Sequence, residues 1–173
     1  IDGNDLRQLD LGDLRQAIGY VPQRSAMFHG TLAQNLRLAH PTASTEDIEE
    51  ALRDAGMADY VASLPEGLET RMDDRFQRRM ADGMKQRFAL ARAYAKHAPI
   101  YLLDEPANNL DDEGDDLLRA KLAQLKGRST ILMVTQRPSH IKMADRVVVL
   151  DQGRILMDGP PDRVLAELFG GTK

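Results

Sequence analysis

Tyr101–Leu103 reads YLL and Thr130–Val134 reads TILMV, two short unbroken apolar runs with a helical stretch between them. Runs of this kind fit strands buried on both faces of a parallel sheet. A third run, RVVVL at Arg146–Leu150, is followed by Asp151-Gln152-Gly153 and then Arg154-Ile155-Leu156, the pattern of a hairpin. Between the runs lie helix signals. Ser44 and Asp47 have capping-box spacing, and Gly56 is placed to close that helix. Met84, Phe88, Ala91 and Ala95 recur at three-to-four spacing across Met84–Lys96, so one face of that helix is expected to pack inward. Asp115–Leu125 is amphipathic and ends near Gly127. Pro161 suits the first turn of a last helix over Asp162–Leu168. The alternation predicts an α/β domain with a mostly parallel sheet. Ser44–Arg79 has no strand signal and reads as a helical insertion.

Composition narrows the partners. A chain of 173 residues with 42% hydrophobic content can bury a core. The formal net charge of −4 gives no electrostatic case for nucleic acid, and no nucleic-acid partner is expected. The basic run Arg75–Arg79 reads as a solvated face. Without cysteine there is no disulfide framework and no thiolate metal site. No apolar run approaches the ~20 residues that span a bilayer. His29, His40 and His97 lack metal-ligand spacing.

IYLLDEP places Asp104 and Glu105 where an apolar strand ends. Ligands of open α/β sheets bind outside the carboxyl ends of the strands. An Asp there can hold Mg2+ through oxygen, and a neighbouring Glu can polarise a water. Taken alone, the pair reads better as a polar loop in which Asp104 caps whatever follows. Its surroundings are more specific: IGYVPQ upstream, RFALARAY before the pair, DEPANNLD across it, then ILMVTQRPSH and VVVLDQGRILMDGP. This ordered set resembles the nucleotide-binding domain of an ABC transporter, of the exporter and type I secretion branch, over nearly the whole chain.

The resemblance implies a P-loop NTPase-like (ABC ATPase) α/β fold, with ATP and Mg2+ as cofactors. It implies Asp104 as the Walker B aspartate and Glu105 as the catalytic glutamate. Gln23 becomes the Q-loop glutamine, reaching metal and water, and Asp111 the aspartate of the D-loop. Gln136 stands where the family usually has a histidine against the γ-phosphate. A glutamine amide can donate there but cannot titrate. His140, four residues on, reads as a surface or helix-start histidine instead. Met80-Ala81-Asp82-Gly83-Met84 falls on the signature motif, which usually reads LSGGQ and faces the nucleotide of a second, head-to-tail domain. Ala81 lacks the usual hydroxyl, and Asp82 replaces a glycine that lets backbone approach phosphate. At an effective dielectric of ~20, two unit charges ~5 Å apart repel by about 3 kcal/mol. A lost hydrogen bond to a charged group adds ~1.5–3 kcal/mol.

The sequence contains no G-x-x-x-x-G-K-[ST] phosphate cradle. The expectation is a partial ABC ATPase domain over 1–173, lacking the P-loop and the N-terminal strands. Within it, about 36–97 would form the helical subdomain and signature helix, and 1–35 and 98–173 the parts of the core sheet. Such a piece is expected to be inactive alone. Its parent would sit at the cytoplasmic face of a membrane, joined to a second nucleotide-binding domain and to the transmembrane domains of an exporter. A different reading is a degenerate regulatory nucleotide-binding module with little or no hydrolysis.

Overall fold

The structure, a computed structural model, describes residues 1–169. These divide into two compact units, one over Ile1–Val134 and one from Thr135 onward. The first unit opens with a 3-10 turn at Leu6–Gln8 and helix α1, Leu11–Gln16, followed by strand β1, Ile18–Val21. Five helices come next: α2 (Leu32–Arg37), α3 (Thr45–Asp54), α4 (Ala58–Ser63), α5 (Asp74–Arg79) and α6 (Asp82–Tyr94). The unit ends with β2 (Ile100–Asp104), α7 (Asp112–Leu125) and β3 (Thr130–Val134).

Local chemistry accounts for the helix boundaries. Ser44 and Asp47 form the expected reciprocal capping box on α3, and Thr31 and Gln34 form a second one on α2. Asp73 caps α5 through Phe76 N–H, and Asp111 caps α7 through Gly114 N–H. The cap at Asp111 starts α7 three residues before the predicted Asp115.

β1, β2 and β3 form a parallel sheet in that order. Ile18, Ile100 and Thr130 pair across it, as do Tyr20, Leu102 and Leu132. Residues that pair share a face, because strand side chains alternate. One face carries Gly19, Val21, Tyr101 and Leu103 and packs towards α6. The approach is close: a Cβ on Gly19 would lie 2.8 Å from the Tyr101 ring and 3.2 Å from Ala93 O. The opposite face is open. Leu132 is 64% exposed and Val134 57%. The expectation that TILMV is covered on both faces is therefore wrong. β3 is the edge of a three-stranded sheet, and its apolar residues on that side have no layer over them among the described residues.

α6 departs from the sequence reading in the other direction. Gln86 to Leu90, Ala91 and Ala93 to Ala95 are all buried, so the helix is enclosed nearly all round rather than along one stripe. It packs against β1, α2 and α3. Phe88 is fully buried and meets Tyr60 edge-on, with ring centroids 6.3 Å apart.

The second unit holds α8 (Pro138–Ile141), strands β4 (Val147–Asp151) and β5 (Arg154–Gly159), and α9 (Pro161–Phe169). β4 and β5 form the expected antiparallel hairpin, with a register irregularity at Val149/Leu150. The apolar run of β4 is not enclosed either: Val148 and Leu150 are exposed. Pro161 begins α9 as its fixed φ allows. His140 lies in the short helix α8, in line with the helix-start alternative, but it is fully buried, which rules out the surface alternative.

Core and open face should differ sharply under mutation. Phe88→Ala removes a fully buried ring and is expected to cost about 3–5 kcal/mol. Leu132→Ser, on the open face, is expected to stay within about 0.5 kcal/mol. Urea unfolding followed by circular dichroism measures both. Equal costs would mean that the open face is packed in solution.

Candidate functional site

The parallel register puts the carboxyl ends of three strands on one edge. Val21 pairs with Leu103, and Asp104 with Val134. β1 runs directly into Pro22 and Gln23, and Gln23 is an exposed bend residue. β2 ends on Asp104 and continues into Glu105, both half-buried. The first unit thus brings the Gln23 loop and the Asp104–Glu105 pair to the same edge. Gln136, exposed, belongs to the second unit and follows the last residue of β3 by two positions.

Glu105 leaves the strand with φ +46°, in the left-handed region. A non-glycine residue there costs of order 1 kcal/mol. Two backbone bonds hold it. Its N–H donates to Val134 O at 2.9 Å, extending the ladder by one step, and its C=O accepts from Asn108 N–H at 3.0 Å. The turn breaks strand alternation, so Asp104 and Glu105 do not simply point to opposite faces. Neither carboxylate has an intramolecular polar partner among the described residues.

These donors fit one kind of metal. No cluster of three or more His, Cys, Asp or Glu able to hold an ion occurs among the described residues. Mg2+ is commonly bound by one or two carboxylates with phosphate and water completing the shell. Asp104, with the amide oxygen of Gln23, suits Mg2+ carried by a phosphate ligand, not a free ion in a protein cage.

The Ala81–Met84 stretch forms the start of α6. Ala81 is the N-cap and supplies no side-chain capping bond. Asp82 sits in the first turn, where a carboxylate suits the positive end of the helix. Its charge is not isolated: Lys85 Nζ donates to Asp82 Oδ1 at 2.9 Å. Gly83 has a different constraint. A Cβ there would collide with the carbonyl oxygen of Asn109. Met84 is half-buried. Beside this helix start, Tyr60, Arg71, Arg75, Phe76, Arg79 and Met80 help line an open cavity of about 540 Å3, which does not reach Asp104 or Glu105.

Asp111 is engaged within its own chain. Its Oδ1 accepts from Gly114 N–H at 2.9 Å and from Arg87 Nη2 at 2.5 Å. The Gly114 amide, then the Arg87 guanidinium, hold its carboxyl below the usual carboxylate range. A depressed native value means a stabilising contribution present above the unfolded value of about 3.9. That contribution is lost as the pH falls through the lower native value.

Three polar residues at this junction carried no signal in the sequence reading. Gln86 is 2% exposed and Arg87 8%. Arg87 also donates to Gly56 O at 3.2 Å, so it joins the end of α3 to the start of α7. Ser25 Oγ donates to Gln86 Oε1 at 2.7 Å. Lys85-Gln86-Arg87 in sequence looks like an ordinary solvated helix face. The one available cue was that Gln86 and Arg87 flank the apolar Phe88–Ala91 run.

A family model described as "ABC transporter" matches residues 1–108. The chain is 41% identical to an ATP-dependent lipid A-core flippase of Pseudomonas fluorescens, covering 96% of this chain and 28% of the relative. It is 38% identical to an ATP-dependent lipid A-core flippase of Syntrophus aciditrophicus, with the same two coverages. Among solved structures it resembles a bacterial Atm1-family ABC exporter with ATP bound, at 33% identity and a TM-score of 0.87, over 96% of this chain and 29% of that one. The chain therefore spans less than a third of the length of these relatives.

The close approach at Gly83 gives a direct test. Gly83→Ala must push Asn109 away and is expected to destabilise the first unit by about 1–3 kcal/mol, the usual range for overpacking. Amide chemical shifts should change most at residues 107–111. Shifts confined to α6 would show that the loop does not lie against Gly83.

Proposed function

The chain belongs to the ABC transporter family, and from that premise we propose that it is the ATP-binding and ATP-hydrolysing part of a membrane exporter. The observation that carries this reading is the Asp104–Glu105 pair at the carboxyl edge of a parallel sheet, with Glu105 turned out of the strand at φ +46°. Asp104 and the Gln23 amide would hold Mg2+, which neutralises phosphate charge when bound. Glu105 would accept a hydrogen bond from the attacking water and orient it. Gln136 would donate to the γ-phosphate and, being an amide, would not titrate. Ala81, Asp82, Gly83 and Met84, with Asp111 nearby, would face the nucleotide of a second, head-to-tail domain.

On this reading residues 36–97 are the helical subdomain, and the chain works at the cytoplasmic face of a membrane with the transmembrane domains of the exporter. VPQRSAMFHGTLAQNL and the stretch SLPEGLETRMDDRFQRRM that precedes α6 support a type I secretion-like branch. The flippase relatives support a lipid-like cargo instead. Both are exporters, and the ATP chemistry is the same.

A second reading, a regulatory module with little turnover, draws on Ala81 and Gln136. Ala81 offers no hydroxyl to phosphate, and Gln136 offers no protonatable group. Against it stand the retained Glu105 and the Lys85 partner of Asp82.

Two variants of the intact protein separate these readings. Glu105→Gln should lower kcat by about 10²–10⁴-fold, the range for a lost general base, with nucleotide affinity preserved. The pair Ala81→Ser and Asp82→Gly should leave turnover within a small factor of wild type if the enzyme already works. A large gain in turnover would favour the regulatory module. Ala81→Ser alone should also supply the missing N-cap and raise stability by about 1 kcal/mol, which thermal unfolding reads separately from turnover.

A further inference from the structure

We propose that Gln86 is a positioning residue that ties the loop carrying Gln23 to the loop carrying Glu105, so that the two respond together. The proposal rests on the reading of those two residues as phosphate-site groups. The link itself rests on geometry alone.

Gln86 is buried in the third position after Gly83 and uses both ends of its amide. Its Oε1 accepts from Ser25 Oγ at 2.7 Å, and Ser25 lies two residues past Gln23. Its Nε2 donates to Pro106 O at 3.0 Å, and Pro106 directly follows Glu105. The amide orientation is chemically fixed. Pro106 has no N–H and can only accept, so the NH2 must face it and the oxygen must face the serine hydroxyl. A flipped amide would set oxygen against oxygen at Pro106. One rigid planar group therefore connects segments 61 and 20 residues away from it in sequence.

The Glu105 loop is held along its length by the same helix. Gly83 lies against Asn109 O, and Arg87 holds Asp111. Those contacts fix the far end of the loop. The Gln86 contact fixes the end beside the strained Glu105 and is the one of the three that also reaches the Gln23 loop. A shift of Ser25 must then either break its partly buried hydrogen bond or carry the amide, and with it Pro106. Removing the amide leaves a buried carbonyl without its donor.

The test uses Ser25→Ala, which removes one hydroxyl that belongs to a different segment and does not itself bond the Glu105 loop, and Ser25→Thr, which keeps it. Hydrogen exchange in the intact protein reads Asn108 N–H, bonded to Glu105 O, and Leu110 N–H, bonded to Ala107 O. Ser25→Ala should speed exchange at both by about tenfold, the scale of one neutral hydrogen bond, and Ser25→Thr should restore it. Gln86→Leu should produce the same change in both loops. ATP turnover supplies the second readout: Ser25→Ala should lower kcat with KM unchanged, because binding contacts stay and alignment is lost. Exchange effects confined to residues 23–28, or a rise in KM with kcat intact, would overturn the proposal. If the wild-type protein hydrolyses no ATP, the functional reading fails while the exchange comparison still decides whether Gln86 joins the two loops.

Discussion

The left-handed turn at Glu105 is the constraint on which the site depends. A strand that continued straight past Asp104 would send alternate side chains to opposite faces. The turn instead lifts Glu105 out of the ladder immediately beyond the last paired residue. Such a conformation persists only where its surroundings over-determine it. Here they do so from two sides. β3 supplies Val134 O to the Glu105 amide, and α6 supplies Gln86 to the next carbonyl. The edge of the sheet and the enclosed helix therefore act on consecutive residues. The two carboxylates lack a polar partner among the described residues, and the backbone that carries them is held by Val134 O and Gln86.

Burial of α6 follows from this arrangement. A helix with one apolar stripe needs one partner surface, but this helix packs against β1, α2 and α3 and also grips the 106–111 loop. Its polar residues are then forced into the interior and must be satisfied there. Gln86 and Arg87 meet that requirement with backbone oxygens and carboxylates from distant segments. Arg87 is nearly buried, and Asp111 and Glu113 lie beside its guanidinium. Loss of either acidic partner would leave much of the cation's desolvation cost in place.

How far the sequence was legible depends on the range of each signal. The capping box at Ser44, the hairpin around Asp151–Gly153 and the proline start of α9 are local, and each appears where the residues placed it. The alternation of runs reports a mostly parallel sheet but neither its strand order nor its edge, and β1 at Ile18–Val21 was not among the runs that stood out. TILMV looks the same whether one or both faces are covered, so the exposure of Leu132 and Val134 was invisible. Asp104 and Glu105 stood out because their chemistry is concentrated in two adjacent residues. Gln86, Arg87 and Ser25 did not, because their importance lies in partners up to 61 residues away. His140 was read as a surface or helix-start residue; it does sit in α8, but nothing near it in sequence announces that it is buried.

The electrostatics at the start of α6 alter the weight given to the Asp82 substitution. An isolated carboxylate ~5 Å from a phosphate would repel it by about 3 kcal/mol at an effective dielectric of ~20. Lys85 lies one turn along, with its ammonium 2.9 Å from Asp82 Oδ1. The pair presents a dipole rather than a net charge, and a dipole's field falls off faster with distance than that of a bare carboxylate. The pair is exposed on the Asp82 side, so it adds little to stability. Its effect is on any charged group that approaches the helix end. Gly83 still lets the helix start pack against the loop after Glu105. On the proposed reading, the Lys85 partner of Asp82 and the retained Gly83 weigh towards a working nucleotide site over an inert one.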